Sequence, residues 1–168
     1  MDEKNEYRTG RSDLTDNNGI LSYRKAEIEE MDWAYQLFKI NLQHYIADTW
    51  GWNEIFQRHS FMANLPASSF IIASLNDEDI GGYCLMPKQQ FLHLEMLLLA
   101  PQHHRKGYGK QMMVQVLNQA ADQRLPVLLS VLKNNPAHLF YRKLGFEVFA
   151  EDNFRYKMRI TIPGNSTL

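Results

Sequence analysis

The chain has little of what staples, anchors or broadly charges a protein. One of its 168 residues is cysteine, Cys84, so no internal disulfide framework can form and a reducing compartment fits. No apolar run approaches the roughly 18 residues that cross a bilayer. The opening residues are polar and acidic and do not resemble a secretory signal, so a cytoplasmic location is expected. Charge of either sign is not in excess: 18 Lys and Arg face 19 Asp and Glu, leaving −1. That balance argues against a general nucleic-acid binder. The six histidines lack ligand spacing with cysteines or carboxylates, so no metal site is expected. Apolar residues at 45% and charged residues at 22% describe an ordinary globular protein, long enough to bury one core without staples.

Hydrophobic periodicity divides the chain. Residues 1–19 are poor in apolar side chains and read as a disordered arm, and 163–168 as a flexible tail. Between them, 20–162 form one unit without linker or repeat. Strand patterns fall at 20–27, 70–75, 80–86, 91–100, 127–132, 146–151 and 154–160. Helical spacing marks 29–41, 53–64, 109–123 and 137–144. In the second helix Ile55, Phe56 and Phe61 fall on the inner side, and 76–79 form a hairpin turn. Strands alternating with helices, plus hairpins, give a mixed α/β sheet.

The most informative stretch is Pro101-Gln-His-His-Arg-Lys-Gly-Tyr-Gly-Lys110. An apolar strand leads into it and an amphipathic helix leads out. A basic turn before a helix N-terminus favours an anion, because unpaired amides and the helix dipole point the same way. Gly107 and Gly109 let backbone approach phosphate oxygens. The P-loop signature is absent, and the dinucleotide fingerprint fails because Met112 stands at its third glycine. Alone, such a turn is equally a tight strand-to-helix connection.

A second segment, Asn134-Asn-Pro-Ala137-His-Leu-Phe-Tyr141-Arg-Lys-Leu-Gly145-Phe146, makes the first specific. Together the two resemble the GNAT acetyltransferase superfamily, which binds acetyl-coenzyme A. That family's phosphate turn reads Arg/Gln-x-x-Gly-x-Gly/Ala, and its later segment Asn-x-x-Ala-x-x-x-Tyr-x-x-x-Gly-Phe. The chain departs from the pattern once, with His104 where Arg or Gln is usual.

The resemblance implies a mostly antiparallel central sheet flanked by helices, and acetyl-coenzyme A as cofactor. It places the cofactor's pyrophosphate on the amides around His104, Arg105, Lys106, Gly107, Tyr108, Gly109 and Lys110. Its pantetheine arm should run beside Leu97 and Leu99, with Asn134, Ala137 and Tyr141 near its far end. Asn134 is also a candidate helix cap before Pro136.

Tyr141 is the candidate acid, since a departing thiolate needs a proton and a phenol can donate one. The base is open between His93 and Glu95. Alternation puts His93, Glu95, Leu97 and Leu99 on one strand face, and a titratable pair there is costly unless paired or functional. The acceptor site is expected from the first two helices and the loop between them. Tyr45, Trp50, Trp52 and Glu54 are its candidates, with rings and carboxylates for a cation.

The favoured activity is acetyl transfer to the primary amine of a small molecule. Transfer to a protein lysine or N-terminus, and a non-catalytic coenzyme A sensor, stay open. No nucleic-acid or membrane partner is expected. Many members of this family pair, so a homodimer also stays open.

Overall fold

The computed structural model describes residues 19–162. The expected tail over 163–168 and the arm, Gly19 apart, lie outside the described residues. Gly19 itself is held, because Gln111 Nε2 donates to its carbonyl at 3.1 Å while Gln111 Oε1 accepts from the Leu21 amide at 3.2 Å.

The described residues hold seven strands: β1 (Ser22–Lys25), β2 (Phe70–Leu75), β3 (Glu78–Pro87), β4 (Leu92–Leu99), β5 (Val127–Leu132), β6 (Glu147–Glu151) and β7 (Arg155–Ile160). Four α-helices accompany them: α1 (Met31–Trp50), α2 (Glu54–Asn64), α3 (Tyr108–Gln123) and α4 (Ala137–Lys143). The strands form one sheet in the order β1-β2-β3-β4-β5-β7-β6. Every neighbouring pair is antiparallel except β4 with β5. This is the mixed, mostly antiparallel sheet that the sequence implied. Asn76 and Asp77, both at positive φ (49° and 66°), make the two-residue turn between β2 and β3, the chemistry such a hairpin requires.

Each face of the sheet has its own core. One joins Met112, Met113, Val116 and Ala120 of α3 to Leu92, Leu94, Val127 and Leu129. The other joins Tyr35 and Phe38 of α1 and Phe61 of α2 to Phe70, Ile72 and Leu98. Fully burying side chains of this size contributes about 1.5–3 kcal/mol each. Cys84 lies in the second core, and burial pushes its thiol up to about 12; it is inert packing.

Three expectations need correction. The first helix does not end at Asn41 but continues to Trp50, so most of the supposed loop at 44–54 is helical. Its buried residues all precede Lys39, so the apolar signal fades while the helix goes on until Gly51 turns it at φ 79°. In α2, Phe61 is buried, yet Ile55 and Phe56 are 84% and 64% exposed, because that end of the helix stands off the sheet, with Phe56 beside a cleft.

The third correction concerns β4. Cys84 pairs with Met96 but Leu85 pairs with Leu94, leaving Glu95 as an extra residue. This bulge breaks the alternation. Leu92 and Leu94 face the α3 core before it, Leu97 and Leu99 pack against that core after it, and Met96 and Leu98 face the α1 core. His93 and Glu95 therefore do not share a face with Leu97 and Leu99.

Candidate functional site

The parallel ladder between β4 and β5 is short. Leu92, His93 and Leu94 pair with Val127, Leu128 and Leu129, and the two strands then part. Past this point β4 stays bound to β3 as far as Leu99, and β5 to β7 as far as Leu132. Their facing edges thus carry backbone groups with no ladder between them, which need other partners. A cavity of about 210 Å³ opens there, lined by 94–97 of β4, 129–132 of β5, and Asn135, Ala137 and Tyr141.

Beyond the end of β4 the chain makes the glycine turn. Arg105 and Gly107 take left-handed φ of 58° and 84°, a conformation that gathers successive amides into an anion-binding concavity. Gly107 caps α3 without a side-chain bond, and the first helical bond runs from the Gln111 amide to its carbonyl at 3.0 Å. The amides of Tyr108, Gly109 and Lys110 stand ahead of that ladder. A Cβ at Gly109 would meet Phe140 at 3.6 Å, ordinary contact, so packing within the chain does not demand glycine there.

The side chains of this turn behave differently from its backbone. Tyr108 is buried, its ring edge-on to His103. His104 Nε2 donates to the Leu99 carbonyl at 2.8 Å. The residue that departs from the family pattern thus fastens the turn to the end of β4.

A larger cleft of about 1010 Å³ lies on the other side of β4. Phe38, Trp52 and Phe61 form a connected aromatic wall, with Phe38–Trp52 centroids 6.1 Å apart and Phe38–Phe61 centroids 5.3 Å apart. Asn53, Gln57, Ser60 and Asn64 add neutral polar groups, and Lys88 and Arg155 add positive charge. The Arg155 guanidinium sits 4.6 Å from the centroid of the Trp50 ring.

Glu95, Met96, Ile46, Trp50 and Arg155 border both cavities. Glu95, displaced by the bulge, is the carboxylate at this junction. His93 Nδ1 lies 2.8 Å from its Oε1. This contact, then the charges of His93 and Lys88, hold the Glu95 carboxyl below the usual carboxylate range against the opposing effect of burial. Tyr141, enclosed on the opposite wall, is raised well above the ordinary phenol range by burial, so it stays protonated at neutral pH.

The structure therefore brings together Glu95, Leu97, Ala137, Tyr141 and Trp50, with Trp52 in the larger cleft. His93 stands behind Glu95. Leu99 and Tyr45 line neither cavity, nor do Glu54 and Asn134. Glu54 is a structural hub: it accepts from the Tyr35 hydroxyl and the Trp52 indole, each at 2.9 Å, and pairs with Lys39 at 2.8 Å. Asp48 pairs with His44 along α1 at 3.3 Å. Neither carboxylate is placed to hold a cation in the cleft. Asn134 Nδ2 donates to the Tyr45 carbonyl and to Thr49 Oγ1, tying the end of β5 to α1. The cap expected of Asn134 is made by Asn135, whose Oδ1 accepts from the Ala137 amide at 2.9 Å.

Lys88, Met96, Asn135 and Arg155 were missed. Nothing local marks them, since each reaches the site through strand register or a loop. Among the described residues, no group of histidines, cysteines or carboxylates is arranged to hold a metal ion, and no helix is long and apolar enough to cross a membrane.

Residues 66–148, which include β4, the parted edge of β5, the glycine turn and Tyr141, match the family model of the GNAT acetyltransferase domain. These residues form a GNAT acetyltransferase domain. No curated protein sequence matches it. Solved GNAT structures share its fold. PaiA N-acetyltransferase from Thermoplasma acidophilum, in complex with coenzyme A, is 18% identical, with a TM-score of 0.70 over 84% of this chain and 99% of that one. The ribosomal-protein-S18-alanine N-acetyltransferase from Escherichia coli is 14% identical, with a TM-score of 0.65 over 89% and 99%. Arabidopsis thaliana Naa50, in complex with the bisubstrate analogue CoA-Ac-MVNAL, is 18% identical, with a TM-score of 0.61 over 84% and 99%. At these identities the likeness is one of fold.

Proposed function

We propose that this GNAT protein transfers the acetyl group of acetyl-coenzyme A to the primary amine of a small molecule. The observation that carries the proposal is the position of Glu95, where the gap between β4 and β5 meets the aromatic cleft. A donor in the gap and an acceptor in the cleft would touch at that carboxylate.

The residues fit such a donor. Acetyl-coenzyme A supplies an acetyl group activated as a thioester. The amides of the glycine turn would hold its phosphates, at about 1.5–3 kcal/mol for each hydrogen bond to a charged group. The unpaired edges of β4 and β5 would hold its amide-bearing arm as an extra strand, with Ala137 leaving room beside Tyr141.

Glu95 works first as a charge. Held below the usual carboxylate range, it stays ionised and attracts the ammonium form of the acceptor. The ammonium first gives up one proton to solvent water, and the neutral amine then attacks. Glu95 stabilises the positive charge that builds on nitrogen and takes the second proton as that nitrogen becomes acidic. His93, in contact with Oε1, is the next group along for that proton. Tyr141 Oη, protonated at neutral pH, donates toward the sulfur as negative charge develops there. The cleft's volume is at the upper end of small-molecule sites.

The test is free-thiol release from acetyl-coenzyme A across a panel of small amines, a lysine peptide and peptides with free N-termini. Turnover with a small amine at a kcat/KM above that of every peptide is the expected result. Faster turnover with a peptide would move the acceptor to protein, and hydrolysis alone across the panel would refute acetyl transfer.

A further inference from the structure

The charges of the acceptor cleft are arranged unlike those of a site for polyamines. Its lining contains one carboxylate, Glu95, already in contact with His93, and two cations, Lys88 and Arg155. Among the described residues neither cation makes an ion pair. Arg155 acts through space on Asp152, but that carboxylate is taken up by the amides of Phe154 and Arg155, each at 2.8 Å. Lys88 acts through space on Glu95.

Arg155 is also prepared for a ligand. Its guanidinium is stacked on Trp50, whose ring meets Phe154 edge-on at 5.7 Å. That contact restrains the guanidinium, whose fork can bind a carboxylate in two-pronged fashion. The donor brings no anion to this place, because its phosphates belong to the turn before α3 and its arm is uncharged. The rest of the cleft is rings, aliphatic groups, methionine, neutral amides and the Ser60 hydroxyl.

We infer that the acceptor is an amino carboxylate with an apolar body, such as an aromatic or large aliphatic amino acid. Its amine meets Glu95, its carboxylate meets Arg155 with Lys88 near, and its side chain lies on Phe38, Trp52 and Phe61. A polycation is disfavoured, since two fixed positive charges face it and one paired carboxylate receives it. This assignment rests on the reading of Glu95 as the meeting point of donor and acceptor.

The experiment compares phenylalanine, phenylalaninamide, phenethylamine and spermidine by thiol release with the full chain, then repeats the series with Arg155→Gln and Arg155→Lys. Losing hydrogen bonds to a charged partner costs roughly tenfold to a hundredfold, so kcat/KM for phenylalanine should exceed that for both neutralised analogues by at least about tenfold. Spermidine should be poorer still. Arg155→Gln should lower the phenylalanine value and collapse the ratio of acid to amide, while Arg155→Lys should keep part of it. Equal or faster turnover of the amide, or of spermidine, overturns the assignment and leaves acetyl transfer standing. An acid-to-amide ratio unchanged in Arg155→Gln also overturns it. Silence from every amine, with hydrolysis alone, would sink the underlying activity instead.

Discussion

In the proposed reaction the donor side and the acceptor side of this molecule are built from different material. The donor side is main chain: the edges of β4 and β5 beyond their three shared pairs, and the amides around Gly107. The acceptor side is side chains: an aromatic wall, four neutral polar groups and two cations drawn from α1, α2, the turn between them, the residue after β3 and the start of β7. A site made of backbone recognises what every member of a family shares, here a phosphate-bearing donor. A site made of side chains changes with each substitution, and specificity resides there. In the proposed reaction Glu95 and Tyr141 stand between the two and belong to the chemistry rather than to either ligand.

Substitution at that boundary should have the largest effect. Glu95→Gln and Tyr141→Phe should each lower kcat by about 10²-fold or more, the usual scale for a proton-transfer group. Both should keep the rise in Tm that acetyl-coenzyme A produces by binding linkage. Loss of that thermal shift would mean that they belong to the donor's binding site and that the boundary is drawn wrongly.

An intermediate effect is expected at the turn. Gly107→Val places a branched side chain at φ 84°, costing about 1–2 kcal/mol of backbone strain. It should weaken donor binding by roughly tenfold to a hundredfold through displaced amides. Calorimetry with coenzyme A measures that change. Acceptor KM at saturating donor should stay within about twofold, a window well below the cost of one charged hydrogen bond; a matching rise in acceptor KM would erase the distinction between the two sides.

The smallest effect tests the frame of the acceptor side. Donors from Lys39, Trp52 and Tyr35 lower the Glu54 carboxyl from 4.5 to about 2. A carboxyl lowered in the folded state contributes stability above its unfolded pKa and loses it as pH falls toward the folded one. Tm should therefore fall between pH 4.5 and about 2, and Glu54→Gln should make that fall shallower. Identical acid limbs in the two proteins would show that the hub joining α1 to α2 carries no pH-dependent stability.

The contrast in material also explains what could be read from sequence. Gly107, Gly109, Ala137 and Gly145-Phe146 were legible because backbone sites constrain residue type at fixed spacing. The strand order was only partly legible: alternation marks a strand, but nothing local says that β7 inserts between β5 and β6. That insertion brings Arg155 opposite Leu132, and so to the cleft. The C-terminal half of α1 was hidden because a helix overhanging a cavity need not show an apolar stripe. Glu54 looked available because its three donors come from Lys39, Tyr35 and Trp52, whose convergence depends on how α1 and α2 cross. His104 stood out as a departure from the family pattern; the bond to the Leu99 carbonyl gives it a job in holding the turn.

The bulge at Glu95 also sets what kind of change β4 can survive. A strand with one surplus residue is a matter of parity. Exchanging a side chain in β4 disturbs one neighbourhood, whereas straightening the strand with Glu95 kept in the ladder would restore strict alternation along its whole length. Met96 and Leu98 would then turn toward α3, Leu97 and Leu99 toward α1, and both cores would be refilled with each other's side chains. The surplus residue is what keeps each core's side chains on its own side of the sheet.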